Sequence, residues 1–277
     1  MRGFIFKDTP DPLTMCTIIV LNQLNPEYPA VVAANRDEFY SRPTSGPQVL
    51  SESPRAIGGR DLDKGGTWLG ANAGGLFVGL TNQRTLRAPD KGRRSRGEVV
   101  LEALSIQTAP AAQRWLETLS PKDFNPFNLL FGTALDMRVA YFHEEMSAPE
   151  FSRVPSGVHV LPNDRLDSPA FTKVQRAKDL VEGFTDGQWP RLAGHLQRVL
   201  SDRKLPPHRP SPDPYRSAAL HALEALCIRT PIYGTRSSAI VALTPGRTAH
   251  YLAASGAPDE TAFRDHTASL YPEQTLS

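Results

Sequence analysis

Cysteine is scarce in this chain, with two in 277 residues, Cys16 and Cys227. They form no C-x-x-C pair and no zinc-ligand spacing, which argues against a disulfide framework or a thiolate metal site and fits a reducing compartment, taken here as the cytoplasm. Charge of one sign is also lacking. Against 31 basic residues stand 29 acidic ones, a formal net charge of +2, so no global field draws the chain to nucleic acid or to an anionic membrane. No apolar run approaches the roughly 20 residues of a membrane span, which argues against stable membrane insertion. Phe4-Ile5-Phe6, the one apolar patch of residues 1–14, is too short for a signal-peptide core. The seven histidines show no pairing at ligand spacing, so a histidine metal site is not expected, although a single axial histidine for haem stays open. No other cofactor is called for, and no internal repeat is visible.

What the chain does have is 40% apolar content, enough for one sizeable domain with a well-buried core. We place that domain at 15–267, with 268–277 as a flexible polar tail and 1–14 as a leader. Either translation begins at Met15 or a cut removes 1–15, and the prolines and charges of the leader favour the first.

The organising stretch is 15–37. Cys16-Thr-Ile-Ile-Val-Leu21 and Ala30-Val-Val-Ala-Ala34 are short, rich in β-branched residues and separated by Asn-Pro-Glu-Tyr-Pro, which predicts two buried strands joined by a loop. They bring Arg36 and Asp37 beside the strand bearing Cys16, and charged groups there are costly unless paired, solvated or used. Were Cys16 the first residue of the mature chain, its thiol and a free α-amine would share one carbon. The amine, with an ordinary pKa of about 7.7 to 8, could accept the proton of a thiol of about 8.5. Nucleophile and base would then come in one residue.

Further along, 39–56 is dense in Pro, Ser and Gly and reads as a long surface loop, followed by a turn-rich link over 56–66. Gly58-Gly59 and Gly65-Gly66 lack the Gly-Lys-Ser/Thr ending of a phosphate loop and read as turns. Thr67–Ala71 and Leu76–Leu80 flank the turn residues of 72–75 as a hairpin. Arg84 to Gly97 holds Arg84, Arg87, Lys91, Arg93, Arg94 and Arg96, either a solvated loop or a rim attracting an anionic ligand. Ser95-Arg-Gly-Glu98 is a capping-box pattern starting a helix, with another expected at 111–119. Strands are expected at 127–132, 137–143 and 157–161. Val174, Ala177, Val181 and Phe184 repeat at helical spacing, as do Leu220, Leu223 and Cys227, so Cys227 reads as a packed core thiol. A proline-rich loop at 203–214 separates these helices. A hairpin of 237–243 and 248–253 closes the chain. Strands at both ends with helices between give an α+β plan.

Amide or thioester cleavage at Cys16 needs an oriented amine and donors for the oxyanion. Asp37 could hold the amine, and Arg36 could neutralise Asp37 or lower the thiol pKa. Asn82 and Asn163, at apolar strand ends, are uncharged donors, and Arg236 could add positive charge. Each also has a plain structural reading, as a turn asparagine or a structural ion pair.

MCTIIVLN at 15–22 and AANRDEFYSRP at 33–43 resemble the family named for its Asn-Arg-Asp-Glu motif, which includes transport and Golgi organisation proteins of animals. GGTWLGANAGGLFVGLTNQR at 65–84, SRGEVVLEAL at 95–104, FNLLFG at 127–132, LPNDRLDSP at 161–169 and YGTRSSAIV at 233–241 extend the resemblance over nearly all of 15–265. It implies an N-terminal nucleophile (Ntn) hydrolase fold, a four-layer αββα sandwich. It also implies a distant similarity to choloylglycine hydrolases and penicillin V acylases, whose sites combine an N-terminal Cys with Arg, Asp, two Asn and a late Arg. Those carry over to Cys16, Arg36, Asp37, Asn82, Asn163 and Arg236, although here the Arg and Asp are adjacent. Two functions follow as expectations: hydrolysis of a non-peptide amide or thioester through Cys16, or non-catalytic binding and trafficking of a small anionic ligand such as haem, acyl-CoA or another lipid metabolite.

Overall fold

The structure is a computed structural model that describes residues 15–85, 88–184, 187–207 and 221–272. The expected leader, Arg87, Leu220 and most of the proline-rich loop lie outside the described residues. In chain order the elements are β1 (Thr17–Asn22), β2 (Ala30–Phe39), β3 (Thr44–Glu52), β4 (Arg55–Asp61), β5 (Leu69–Asn72), β6 (Phe77–Asn82), α1 (Arg96–Leu104), α2 (Ala109–Leu116), β7 (Phe127–Thr133), β8 (Asp136–Phe142), β9 (Glu150–Arg153), β10 (Gly157–Leu161), α3 (Thr172–Val181), α4 (Trp189–Leu200), β11 (Tyr233–Thr244), β12 (Arg247–Ala254) and β13 (Arg264–Asp265). They build two antiparallel sheets, one ordered β10-β1-β2-β11-β12-β13 and the other β3-β4-β5-β6-β7-β8-β9.

The period of two along each strand decides which residue meets which layer. In β1 and β2, Ile18, Val20, Val32 and Ala34 meet Ile57, Leu69, Phe77 and Leu130 of the second sheet. Their neighbours Ile19, Leu21, Val31 and Ala33 pack under α3 and α4. Helices α1 and α2 cover the other face of the second sheet through Val99, Val100, Ala103 and Leu116. The result is the expected α+β order of four layers, helices, sheet, sheet, helices. Strands buried on both faces explain why Thr17–Leu21 and Ala30–Ala34 are continuous apolar runs without alternation.

Several expectations give way. The segment 39–56 is no loop, because β3 and β4 run through it. β3 is the edge of its sheet, and the pairing skips from Ser45 to Gln48, so Gly46 and Pro47 sit in a bulge. An edge bulge is where a sheet tolerates proline. The capping box fails in detail: Ser95 is the residue before α1, but its side chain makes no capping hydrogen bond, whereas Thr108 accepts one from the Ala111 N–H at the start of α2. Phe184 lies past the end of α3, and the helical segment expected to carry Leu223 and Cys227 ends at 222. Both of those residues are buried from an irregular segment instead. A 3₁₀ turn at Thr267–Leu270 occupies the start of the expected flexible tail, with Leu270 only 1% exposed between the sheets.

The loop after β10 is pinned by Asp167. Its carboxylate accepts from the Val160 N–H at 2.8 Å, meets His159 Nδ1 at 2.6 Å, and pairs with Lys178 Nζ at 2.9 Å. Burial alone would raise this carboxyl, but the hydrogen bonds from His159, Val160 and Lys178 outweigh it and lower it to about 2. A depressed carboxyl contributes stability above its unfolded value, ordinarily 3.8, and loses it as pH falls through its folded value of about 2. Urea titrations are therefore expected to show a loss of stability between these two pH values that is absent in Asp167→Asn.

Candidate active site

Register assembles the site. Thr17 pairs with Asn35, so the ladder continued by one residue sets Cys16 opposite Arg36. On the other side of β1, Ile18 pairs with Leu161, the last residue of β10, and Asn163 follows two residues beyond it. Arg36 in turn pairs with Ser237 of β11. Cys16, Arg36 and Ser237 thus come together at the end of the first sheet.

Alternation turns Cys16 and Arg36 toward the second sheet. There they line a small cavity of about 30 Å³ with Trp68, Leu69, Ser237 and Tyr251. Arg36 is 6% exposed; its guanidinium lies 4.2 Å above the Trp68 ring and Nη2 is 3.6 Å from the Glu38 carboxylate. Nη1 has no hydrogen-bond partner, and neither has the hydroxyl of Ser237. The glycine pair expected in a turn has a different use: Gly58 and Gly59 lie within β4. A Cβ on Gly59 would come within 2.4 Å of the Trp68 ring, so the indole sits under Arg36 only because that side chain is missing.

The same alternation sends Asp37 to the opposite, helix-covered face. The expected neutralisation of Asp37 by a direct contact from Arg36 is therefore not formed; Arg36 pairs with Glu38 instead. Asp37 Oδ1 accepts from the Thr235 hydroxyl at 2.6 Å, while Oδ2 has no partner. Burial pushes this carboxyl up to about 7, against the opposing pull of Lys173, Thr235 and Arg36.

Cys16 is 7% exposed, with Sγ 3.9 Å from the Asp37 carbonyl oxygen. Burial first, and the Asp37 charge second, push its thiol up to about 11, and Arg36 recovers only part of that. With the Met15–Cys16 peptide bond intact, the thiol therefore holds its proton at neutral pH. The Met15 N–H donates to the Tyr233 hydroxyl at 2.7 Å.

Asn163 is 1% exposed, and its Nδ2 donates to the Asn82 carbonyl at 2.7 Å, tying the end of β6 to the segment after β10. An amide nitrogen carries two hydrogens, so one remains. Neither asparagine forms the pocket wall. Arg236 is the residue skipped in the β2–β11 pairing, between Thr235 opposite Asp37 and Ser237 opposite Arg36. It is not among the residues that line the pocket, and its Nη1 donates to the Tyr40 carbonyl at 2.6 Å. Arg236 thus anchors the exit of β2.

Sequence reasoning missed Trp68, Ser237, Thr235 and Lys173. The last had a readable signal, since Lys173 stands four residues before Ala177 and eight before Val181, on the apolar stripe of α3. In the basic segment, Arg93 pairs with Glu144 at 3.0 Å and Arg94 lies 3.7 Å from Glu102, so these two arginines are engaged within the fold. Cys227 is buried and free, its thiol directed at Asp259 and pushed up to about 12 by burial and that carboxylate. Among the described residues, no cluster of three His, Cys, Asp or Glu side chains is placed to hold a metal ion, and no helix is long and apolar enough to cross a membrane.

Among solved structures, a Caenorhabditis elegans N-acylethanolamine-hydrolyzing acid amidase ortholog matches with a TM-score of 0.52 at 15% identity, covering 83% of this chain and 93% of its own. A conjugated bile acid hydrolase from Clostridium perfringens, in a mutant form, matches with a TM-score of 0.51 at 10% identity, over 91% of this chain and 96% of its own. The four-layer fold is thus that of the Ntn hydrolases. Among curated proteins, the Transport and Golgi organization protein 2 homolog of Bos taurus is 30% identical over 77% of this chain and 82% of its own length, and the Homo sapiens homolog 29% over the same shares. Because the sequence matches the family described as Transport and Golgi organisation 2 from residue 15 to residue 254, from the residue before the cysteine to the last residue of β12, the chain belongs to that family.

Proposed function

We propose that the protein is a hydrolase of a non-peptide amide or thioester, acting through an acyl-Cys16 intermediate once Cys16 is the first residue. The observation that carries this reading is the meeting of Cys16, Arg36 and Ser237 on the wall of one largely apolar pocket between the sheets. In the free-amine form the Cys16 nitrogen takes the thiol proton and sulfur attacks the carbonyl carbon. The second Nδ2 hydrogen of Asn163, whose amide is held by the Asn82 carbonyl, is the donor this reading assigns to the oxyanion. The carbon–nitrogen or carbon–sulfur bond then breaks, the leaving amine or thiol takes the proton, and water releases the acid. Arg36 Nη1, buried and unpartnered, suits an anionic group on the substrate, which keeps acyl-CoA-like donors in view. The two similar solved structures are hydrolases, one of N-acylethanolamine and one of a conjugated bile acid, which supports amide chemistry.

A second reading has its own observation. The thiol pushed up to about 11 beneath an intact Met15–Cys16 bond has no activating base, and in that form the pocket binds a haem or lipid metabolite without turnover. Iodoacetamide labelling of protein produced both from Met1 and from Met15, read by mass spectrometry on whichever form exposes Cys16, separates the two. We expect an N-terminus at Cys16 and alkylation of Cys16 at least about 10-fold faster than of Cys227. A chain that still carries Met15, or two equally inert cysteines, overturns the hydrolase reading.

A further inference from the structure

Lys173 is buried at 1% exposure, and its ammonium nitrogen has no hydrogen-bond partner. It is the second residue of α3, whose first turn contains no acidic residue. A cation there faces the positive end of the helix dipole as well as the cost of burial. Two further unpartnered atoms belong to the same helix-covered face of the first sheet, Thr17 Oγ1 and Asp37 Oδ2. A lysine tolerated under such conditions needs a countercharge. Burial lowers the pKa of this lysine, and the charges that oppose burial are those of Asp37 first, then Cys16 and Glu224. Glu224 is already engaged by the Thr172 hydroxyl at 2.8 Å.

We propose that Lys173 is a positioning residue of the Cys16 site, its ammonium group keeping Asp37 in the carboxylate form that accepts from, and orients, the nitrogen of Cys16. The role of Asp37 toward that nitrogen rests on the hydrolase reading; the Lys173–Asp37 coupling does not. Asp37 is faced by Arg36 and Glu38 from its own strand, Thr235 and Tyr233 from β11, Cys16 ahead of β1, Cys227 from the segment after 222, and Lys173 from α3. Of these, Lys173 makes the largest contribution holding the carboxyl down against burial. Because burial raises this carboxyl to about 7, loss of the lysine acts where neutral pH reads it directly.

The test follows the Asp37 carboxyl carbon by NMR in aspartate-labelled full-length protein, alongside the pH dependence of turnover of an N-acetylcysteamine acyl thioester. In wild type the carboxyl titrates near 7 and the acid limb of turnover follows it. In Lys173→Met both midpoints rise by about one pH unit or more, and in Lys173→Arg, which keeps the charge, they stay near the wild-type value. Lys173→Gln is read in the same way should the methionine variant fail to fold. A lysine that merely fills space would lower the melting temperature in Lys173→Met and leave the Asp37 midpoint in place, and that result overturns the proposal. Wild-type protein without turnover would remove the hydrolase reading, while the carboxyl titration still decides the coupling.

Discussion

Cys16→Ala is expected to lower turnover of short acyl thioesters and 4-nitroanilides by roughly 10³-fold or more, because the attacking atom is lost and no other thiol can replace it. Cys227 is 1% exposed, points at Asp259, and has its thiol pushed up to about 12. Cys16→Ser is expected to retain a small fraction, since the hydroxyl is a poorer nucleophile beside the same amine. Neither change should lower the unfolding free energy from urea titration by more than about 1 kcal/mol, because the Cys16 sulfur lines a pocket and deleting it enlarges space already present. The separation matters: activity lost together with stability would say only that the strand end had unravelled. Turnover that persists in Cys16→Ala would remove sulfur from the mechanism and leave the fold as a binding scaffold.

The part of this site that could be read from sequence is the part built by strand register. Cys16 and Arg36 belong to two apolar runs joined by a short loop, so antiparallel pairing had to place them at one sheet end, and it does. Reading Arg36 and Asp37 as partners failed because they are consecutive, and consecutive strand residues face opposite layers. Arg236 sits in a bulge of β11 that no residue pattern announced, and its contact with the Tyr40 carbonyl could not be read from the sequence. The β3–β4 hairpin was hidden because an edge strand with a bulge carries Ser, Gly and Pro in place of apolar alternation. Helix α4 was overlooked although Leu192, Leu196, Val199 and Leu200 share one buried face, its Trp-Pro start and internal glycine and histidine drawing attention away from the spacing. Lys173 is the instructive miss. A charge on an apolar stripe reads as a defect of the helix until the buried carboxylate it faces is known.

Asn35→Ala is expected to destabilise the fold by about 3–5 kcal/mol, a large share of the total for a single domain. The first residue of the Asn-Arg-Asp-Glu motif is 2% exposed and lies on the helix-covered face, where it touches no pocket chemistry through its amide. Its Nδ2 donates to the Leu200 carbonyl at 2.9 Å and to the Leu226 carbonyl at 2.8 Å, and its Oδ1 accepts from the Ser238 hydroxyl at 2.6 Å. Leu200 ends α4 and Leu226 precedes Cys227, so one side chain fastens a helix C-terminus, an irregular buried segment and β11 to the middle of β2. Alanine leaves two carbonyls and a hydroxyl in a dry interior without partners, each costing about 1–3 kcal/mol, though not additively. Asn35→Asp sharpens the argument, because the carboxylate still accepts from Ser238 but sets negative charge against two carbonyl oxygens; it should be at least as destabilising as alanine, and more so as pH rises through its own titration. Urea unfolding read by circular dichroism measures both. A cost below about 1 kcal/mol for Asn35→Ala would mean that water replaces the amide. The asparagine would then owe its place to the pocket beside it, not to the fastening of three segments.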